Sequence, residues 1–317
     1  MNNSKPNVRP GSLKVWVLAA RPKTLSGALI PVCLACALSL RDGTFRWVPA
    51  MYCMLFAGLM QVAANLINDL FDFKRGTDGN DRLGPERACA QGWISPRAMR
   101  YGIAVVLMLA CFFGLALVIS SGAWIDFEYD TTIIKWDAVI WLGALGVACI
   151  VFAFLYTTLL SYVGGGDMLV YIFFGFVPVL GTYYMQALRL TADAWWLATA
   201  CGLVIDTLLI LNNYRDRDTD RASGKHTLVA ILGGHFGSLS YLAHGIMGVA
   251  ISLIPILSGG SHDIWRALIP AIYLIPHVIT WRKMVIINKG RELNKILGQT
   301  SRNMLIFAAL VCLALCI

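Results

Sequence analysis

Apolar runs long enough to cross a bilayer recur along the whole chain, and no other feature constrains the fold as strongly. A spanning helix needs about 20 apolar residues. Of the 317 residues, 58% are hydrophobic and only 14% are charged, against roughly 25% charged in a soluble domain. The pattern predicts an all-α, polytopic membrane protein, one integral-membrane domain over residues 1–317. Spans fall near residues 24–40, 47–68, 98–120, 138–158, 168–188, 194–213, 237–257, 264–281 and 303–317, which makes nine transmembrane helices. Residues 1–14 are polar and basic with no apolar stretch and cleavage site directly behind them, so no removable signal peptide is expected.

Charge placement orients these spans. The formal net charge is +8, but the bases crowd into loops, which points to topology and not to nucleic acid. With the N-terminus inside, five Lys and Arg precede the first span, six lie at 74–100, four at 215–225 and six at 282–302. Only Arg41, Arg46, Lys135, Arg189 and Arg266 fall outside. That bias predicts a cytoplasmic N-terminus, an odd number of spans and a C-terminus on the opposite face. The nine cysteines suggest no disulfide framework or zinc spacing. Cys33 and Cys36 read as two small residues of a membrane helix.

Two acid-rich motifs fall on the same predicted face. In the first, Gln61, Asn65, Asn68 and Asp72 share one side of a helix, with Asp69 beside them and Asp78 beyond. Carboxylates at membrane depth are costly and normally face a cavity or a partner. Mg²⁺ takes oxygen ligands, often one or two carboxylates plus substrate phosphates, and Asn68, Asp72 and Asp78 supply such oxygens. The second motif runs from Asn212 and Asn213 through Arg215, Asp216, Asp218, Asp220 and Arg221 to Lys225. Asp216 and Asp220, four apart, face the same way on a helix. Asp218 points elsewhere and is expected to pair with neighbouring bases. Acids that hold Mg²⁺ interleaved with Arg and Lys that hold phosphate oxygens suit a metal–diphosphate complex. Facing clusters of this kind can stabilise the departure of pyrophosphate from an allylic diphosphate. An apolar groove lined by aromatics of the fourth and fifth spans would suit a long polyprenyl tail.

Arg21 and Lys23 flank Pro22 at the entrance to the first span and are candidates for contact with diphosphate or an acidic acceptor. Asp206 lies inside the sixth span, seven residues before Asn213 and on nearly the same face, and an acid at that depth is a functional candidate. His235, His244 and His277 are scattered and read as structural.

These stretches resemble the UbiA superfamily of membrane prenyltransferases, and within it the bacterial branch that prenylates 1,4-dihydroxy-2-naphthoate. The resemblance is carried by Arg-Pro-Lys-Thr at 21–24, Asn-Asp-Leu-Phe-Asp-Phe-Lys-Arg-Gly-Thr-Asp at 68–78 and Arg-Leu-Gly-Pro-Glu-Arg-Ala-Cys-Ala-Gln-Gly at 82–92. It continues with Leu-Gly-Thr-Tyr-Tyr-Met-Gln at 180–186 and Asn-Asn-Tyr-Arg-Asp-Arg-Asp-Thr-Asp-Arg-Ala-Ser-Gly-Lys-His-Thr-Leu at 212–228. It implies nine helices around a central cavity open to lipid, in the bacterial cytoplasmic membrane. It implies Mg²⁺ bridging diphosphate between Asn68, Asp72 and Asp78 on one side and Asn213, Asp216 and Asp220 on the other. It also implies prenylation of an aromatic acid with loss of its carboxylate, giving a demethylmenaquinol. Asn65, Arg215, Arg221 and Lys225 are the expected substrate contacts. Asp72, Asp216, Lys225 and Asp206 are the expected catalytic groups, and the proton acceptor is left open between Asp206, Asp69 and pyrophosphate.

The chain departs from the family's Tyr-Thr-Gly-Gly pattern at 156–162 and carries Phe176 where a proline is more usual. An altered acceptor pocket is therefore expected. The alternatives are a branch using 4-hydroxybenzoate, homogentisate, haem or chlorophyllide as acceptor and, from another class, a cation transporter. Transporter acids sit nearer the midplane, often at broken helices.

Overall fold

A computed structural model describes residues 9–76, 86–128, 131–155, 165–258 and 264–317. Twelve helices follow in order among them: α1 Leu13–Ala20, α2 Leu25–Arg41, α3 Trp47–Arg75, α4 Pro96–Ser121, α5 Trp136–Leu155, α6 Gly166–Val170, α7 Val177–Ala187, α8 Ala192–Ala222, α9 Leu228–Ser258, α10 Leu268–Ala271, α11 Leu274–Ile287 and α12 Leu293–Cys316. A π-helical turn at Tyr171–Phe176 joins α6 to α7 as one span, and a 3-10 turn at Ile264–Ala267 leads into α10 and α11. Eight spans among the described residues are long and apolar enough to cross a membrane, and the α1–α2 pair, bent by 60°, makes a ninth when counted as one.

Several boundaries differ from the sequence expectation for physical reasons. The last span starts at Leu293, not near 303, because Leu293, Ile296, Thr300 and Asn303 bury one face of a polar-looking stretch. The seventh starts at Leu228 and carries a break at Gly233, whose φ of 89° is non-helical. The first span gains α1, whose Val15 and Ala19 are buried against α3 and α4. The all-helical expectation misses one antiparallel hairpin, β1 Ile125–Glu128 with β2 Thr131–Ile134, in the acidic loop. There Lys135 pairs with Asp126 at 2.8 Å. All nine cysteines are free, and Cys33 is exposed.

Packing separates two halves. One apolar cluster joins Val15 and Ala19 of α1, Ala63, Leu66, Ile67 and Leu70 of α3, Met99 and Ile103 of α4, and Ala88, Cys89 and Ile94 between them. Another joins Ile210, Leu211 and Tyr214 of α8 to Val229, Tyr241, Met284, Leu293 and Ile296. The largest cluster, including Leu34, Leu38, Tyr183, Leu197, Val204 and Phe307, fills the space between α2, α7, α8 and α12. Thus α2 and α7 lie between α3 and α8. At the π-helical turn the approach to α8 is close: a Cβ at Gly175 would lie 2.8 Å from the Gly202 Cα and 2.9 Å from the Ala198 carbonyl oxygen. Small residues at such crossings let membrane helices pack backbone to backbone. By contrast α5 buries no residue and turns its apolar surface outward.

Polar ties gather one set of helix ends. Arg46, before α3, donates to the Ser121 carbonyl at 2.9 Å and the Met185 carbonyl at 2.6 Å, while Gln186 accepts from its backbone N–H. Arg41, ending α2, reaches Asp193 at the start of α8 at 2.6 Å and the Pro255 carbonyl of α9. Arg266 donates to the carbonyl of Ile317. The ends of α2, α4, α7 and α9 and the starts of α3 and α8 therefore share one side, which is the alternation expected from the charge bias. The two acid-rich motifs close α3 and α8 on the other side.

Candidate functional site

The first motif occupies the last turns of α3, which stops at Gly76. Its positive φ of 70° lets the N–H turn back onto the carbonyls of Asp72 and Phe73. Asp72 therefore sits at a helix C-terminus, where the helix dipole is already negative, and the position calls for a cation. Arg87 supplies one, its Nη2 2.6 Å from Asp72 Oδ2. Its placement comes from Asp69, which is 1% exposed. The backbone N–H groups of Ala88 and Cys89 donate to its two oxygens at 2.8 and 2.9 Å. Asp69 is thus the anchor of the segment that carries Arg87, with both oxygens engaged, and is not placed to accept a substrate proton.

One turn earlier, Asn65 braces the corner between α1 and α2. Its Nδ2 donates to the Ala20 carbonyl and to Thr24 Oγ1, both at 2.8 Å, and Gln61 donates to its Oδ1 at 3.3 Å. At that corner Arg21 adopts φ 52°, a left-handed conformation that costs a non-glycine residue about 1–3 kcal/mol. Thr24 Oγ1 donates to the Arg21 carbonyl at 2.9 Å. The brace holds the Arg21 end of the corner beside α3. Asn68 is half-buried on the same helix. Asp78, the side chain of Lys23 and residues 156–162 lie outside what the structure describes.

The second motif occupies the last turns of α8 and repeats this electrostatic arrangement. Arg215 grips Asp216 with two parallel bonds, Nε to Oδ1 at 2.8 Å and Nη2 to Oδ2 at 2.6 Å, and its Nη1 donates to Asn294 at 2.8 Å. Asp220 is buried, with Lys225 3.5 Å from Oδ1 and Oδ2 left without a hydrogen-bond partner among the described residues. Asn213 is buried on the same face. Arg221 donates to the Ala230 carbonyl and, with Lys225, His226, Ala230 and Ile231, lines a hollow of about 270 Å³. Asp218 does pair with a base, but a distant one: Lys289, at 3.5 Å on the surface.

Arg217 is structural. It donates to the carbonyls of Tyr214 and Asn288 and to Asn288 Oδ1, and lies over the Tyr214 ring at 4.4 Å. Together with the Arg215–Asn294 bond it ties the end of α8 to Asn288, just after α11, and to the first turn of α12.

No cluster of three or more His, Cys, Asp or Glu forms a protein-only metal cage among the described residues. Mg²⁺ does not need one, since one or two carboxylates complete its shell with phosphate oxygens and water. Two helix C-termini carrying carboxylates, a buried carboxylate oxygen with no partner, and amides alongside make a donor set that fits. Among the aromatic side chains, Phe152 of the fourth span packs against Phe173 of the fifth at 4.6 Å, and Phe154 of the fourth packs against Phe71 of α3 at 6.3 Å.

Sequence reasoning did not single out Arg87, Asn288, Asn294 or the anchoring role of Asp69. Only Arg87 carried a signal, being inside the 82–92 stretch. It also read His244 as purely structural, whereas the structure sets it beside Asp206.

The profile of the UbiA prenyltransferase family matches residues 28–297. A 1,4-dihydroxy-2-naphthoate octaprenyltransferase of Escherichia coli strain K12 is 33% identical over 252 residues, 80% of this chain and 79% of that protein. An octaprenyltransferase of the same name from Mycobacterium leprae is 30% identical over 310 residues, 96% and 97% of the two chains. Among solved structures, a UbiA homolog from Archaeoglobus fulgidus bound to DMAPP and Mg2+ superposes with a TM-score of 0.63 at 12% identity, covering 95% of this chain and 98% of the other. At that identity the likeness shows the fold.

Proposed function

The chain belongs to the UbiA prenyltransferase family, and we propose that it transfers a polyprenyl group from an allylic diphosphate to 1,4-dihydroxy-2-naphthoate, with loss of the carboxylate, to give a demethylmenaquinol. The observation that carries this reading is the pair of acid-bearing helix ends on one side of the bundle, each with its carboxylates already matched by Arg or Lys. A cation transporter needs acids along a path; here the motif acids sit at one face, interleaved with anion-binding side chains.

In this reading Asn68, Asp72 and Asp78 on one side, and Asn213, Asp216 and Asp220 on the other, would hold Mg²⁺. The ion would supply charge neutralisation for the departing pyrophosphate. Arg215, Arg221, Lys225, Arg21 and Lys23 bind the diphosphate oxygens. Arg87 would join them, since its guanidinium is within reach of the same site through Asp72, and Arg215 stands in the same relation to Asp216. The motifs face the cytoplasm of a bacterial cell. The prenyl tail lies along the apolar side of the bundle, where exclusion of water protects the allylic cation from quenching.

Purified protein in detergent, given 1,4-dihydroxy-2-naphthoate, a polyprenyl diphosphate and Mg²⁺, tests this. Demethylmenaquinol formation that is lost on chelation and in both Asp72→Ala and Asp216→Ala is the expected result. Product with another aromatic acid but none with the naphthoate rejects the acceptor. No pyrophosphate release with any acceptor rejects the enzyme reading.

A further inference from the structure

Two turns deeper along α8 than Asn213 lies a polar pair that the diphosphate site does not use. Asp206 is 3% exposed, and Nε2 of His244 on α9 lies 3.4 Å from its Oδ2. The other ring nitrogen, Nδ1, is 2.7 Å from the Ser240 carbonyl oxygen. A carbonyl only accepts, so Nδ1 carries a hydrogen and Nε2 is the position that gains or loses one. Two bare lone pairs do not face each other in a buried site. The contact therefore holds one shared proton, on Nε2 or on Oδ2. The second carboxylate oxygen, Oδ1, is buried and has no hydrogen-bond partner among the described residues. A buried acceptor left open in this way is costly, and it awaits a donor from elsewhere.

Among the described residues the surroundings supply none. Asp167, at the start of α6, interacts electrostatically with both groups and is an acceptor itself. His277, which α11 presents to α9, packs on Gly245, contacts the Leu242 carbonyl and stacks between Tyr241 and Tyr273. On α8 itself the next acid is Asp216. Seven residues separate Asp206 from Asn213, which places it about 10 Å further from the motif end and nearly on the same face. A ring whose reacting carbon sits beneath the diphosphate would extend toward it.

We infer that Asp206 and His244 form an acceptor-side site in which Oδ1 of Asp206 takes a hydrogen bond from a ring hydroxyl of the aromatic acid and holds its proton while the ring attacks. This rests on the prenyl-transfer reading above. The hydroxyl proton moves to Oδ1, and the O–H electron pair feeds the ring. The ring carbon bearing the carboxylate bonds to the allylic carbon, and the allylic C–O bond breaks with its electrons leaving on pyrophosphate. Loss of CO₂ returns an electron pair to the ring, and the oxygen recovers its proton from Asp206. The proton is held and given back, so the pair ends the cycle as it began. His244 is a positioning residue here, since it touches Asp206 and not the acceptor.

The test is initial-rate kinetics on the purified, full-length protein, varying the naphthoate and the prenyl diphosphate separately across pH. Asp206→Asn is expected to lower kcat/KM for the acceptor about 100-fold or more, the range of a lost general base. It should leave the KM for the diphosphate unchanged and flatten the pH profile. His244→Gln should give a smaller loss of the same kind. The double variant should be no worse than Asp206→Asn alone, as expected for groups acting as a unit. An acceptor with a more acidic, ring-fluorinated hydroxyl should recover rate in Asp206→Asn. Unchanged acceptor kinetics in Asp206→Asn overturn the inference while the prenyl-transfer reading stands. So does an equal loss on both substrates with no rescue and a lowered melting temperature. Wild-type protein that prenylates no aromatic hydroxy acid overturns the reading and the inference together.

Discussion

Replacing Asp69 with Asn should free the segment that carries Arg87 without disturbing the rest of the bundle. The carboxylate accepts from Ala88 N–H and Cys89 N–H through separate oxygens. An Asn keeps one acceptor and turns an NH₂ toward the other amide. One hydrogen bond loses its charge and the other becomes a buried donor facing a donor. Together these cost about 2–4 kcal/mol of local stability. At 1.4 kcal/mol per tenfold, local opening should rise about 30- to 700-fold. Cys89 reports this directly, being 3% exposed and itself one of the two amide donors. In a background with the exposed Cys33, Cys111 and Cys316 replaced by Ala, its alkylation rate in detergent should rise by that factor. Cys201, fully buried in the main core, should stay protected. An unchanged Cys89 rate refutes the anchoring role. Parallel acceleration of Cys201 shows that the whole bundle has opened and refutes the claim of a local effect.

Other outcomes follow from contacts already described. Asp216→Asn should lower turnover by 100-fold or more, whereas Asp218→Asn, which removes only an exposed 3.5 Å pair, should stay within about 0.5 kcal/mol in stability and near wild type in rate. Gly175→Ala forces a Cβ against the Gly202 and Ala198 backbone and should destabilise by about 1–3 kcal/mol, read as a lowered melting temperature in detergent. Gly181→Ala, with nothing within 4 Å, is the control. Arg217→Ala should lower thermal stability by about 2–4 kcal/mol, since it uncovers the Tyr214 and Asn288 carbonyls. The fraction that remains folded should keep its rate, and a change in its KM for diphosphate would refute a purely structural role.

How much of this was legible beforehand depended on whether the signal was local. Membrane helices announce themselves through runs of apolar residues, so the spans and their alternation could be read from hydropathy and from Lys and Arg placement. The ends could not. Leu293, Ile296 and Thr300 belong to a helix because their neighbours bury them, and that is a tertiary fact. Asp72, Asp216 and Asp220 were legible because helical spacing puts them on shared faces. The partners that tune them come from other segments: Arg87 lies fifteen residues after Asp72, and Asn294, which holds the Arg215 that grips Asp216, lies seventy-nine residues after Arg215. The same limit applies to His244, which meets Asp206 only because α9 packs along α8. Asp69 was misread as a possible base because its residue type, without its two amide donors, looks the same as that of its neighbour Asp72.

The arginine ties at the end remote from the motifs have a mechanical consequence. Arg46 binds carbonyls that close α4 and α7, and Arg41 spans from α2 to α8 and α9. Helix C-termini hold cations well, so this end behaves as a fixed base. The two motif helices, 29 and 31 residues long, start at this base and carry their carboxylates to the opposite side, where each tip is tied again: Asp69 to Ala88 and Cys89, and Arg217 to Asn288. Fastened at both ends, they act as struts. Adjustment to an incoming charge then falls to the side chains at the tips and not to movement of the helices.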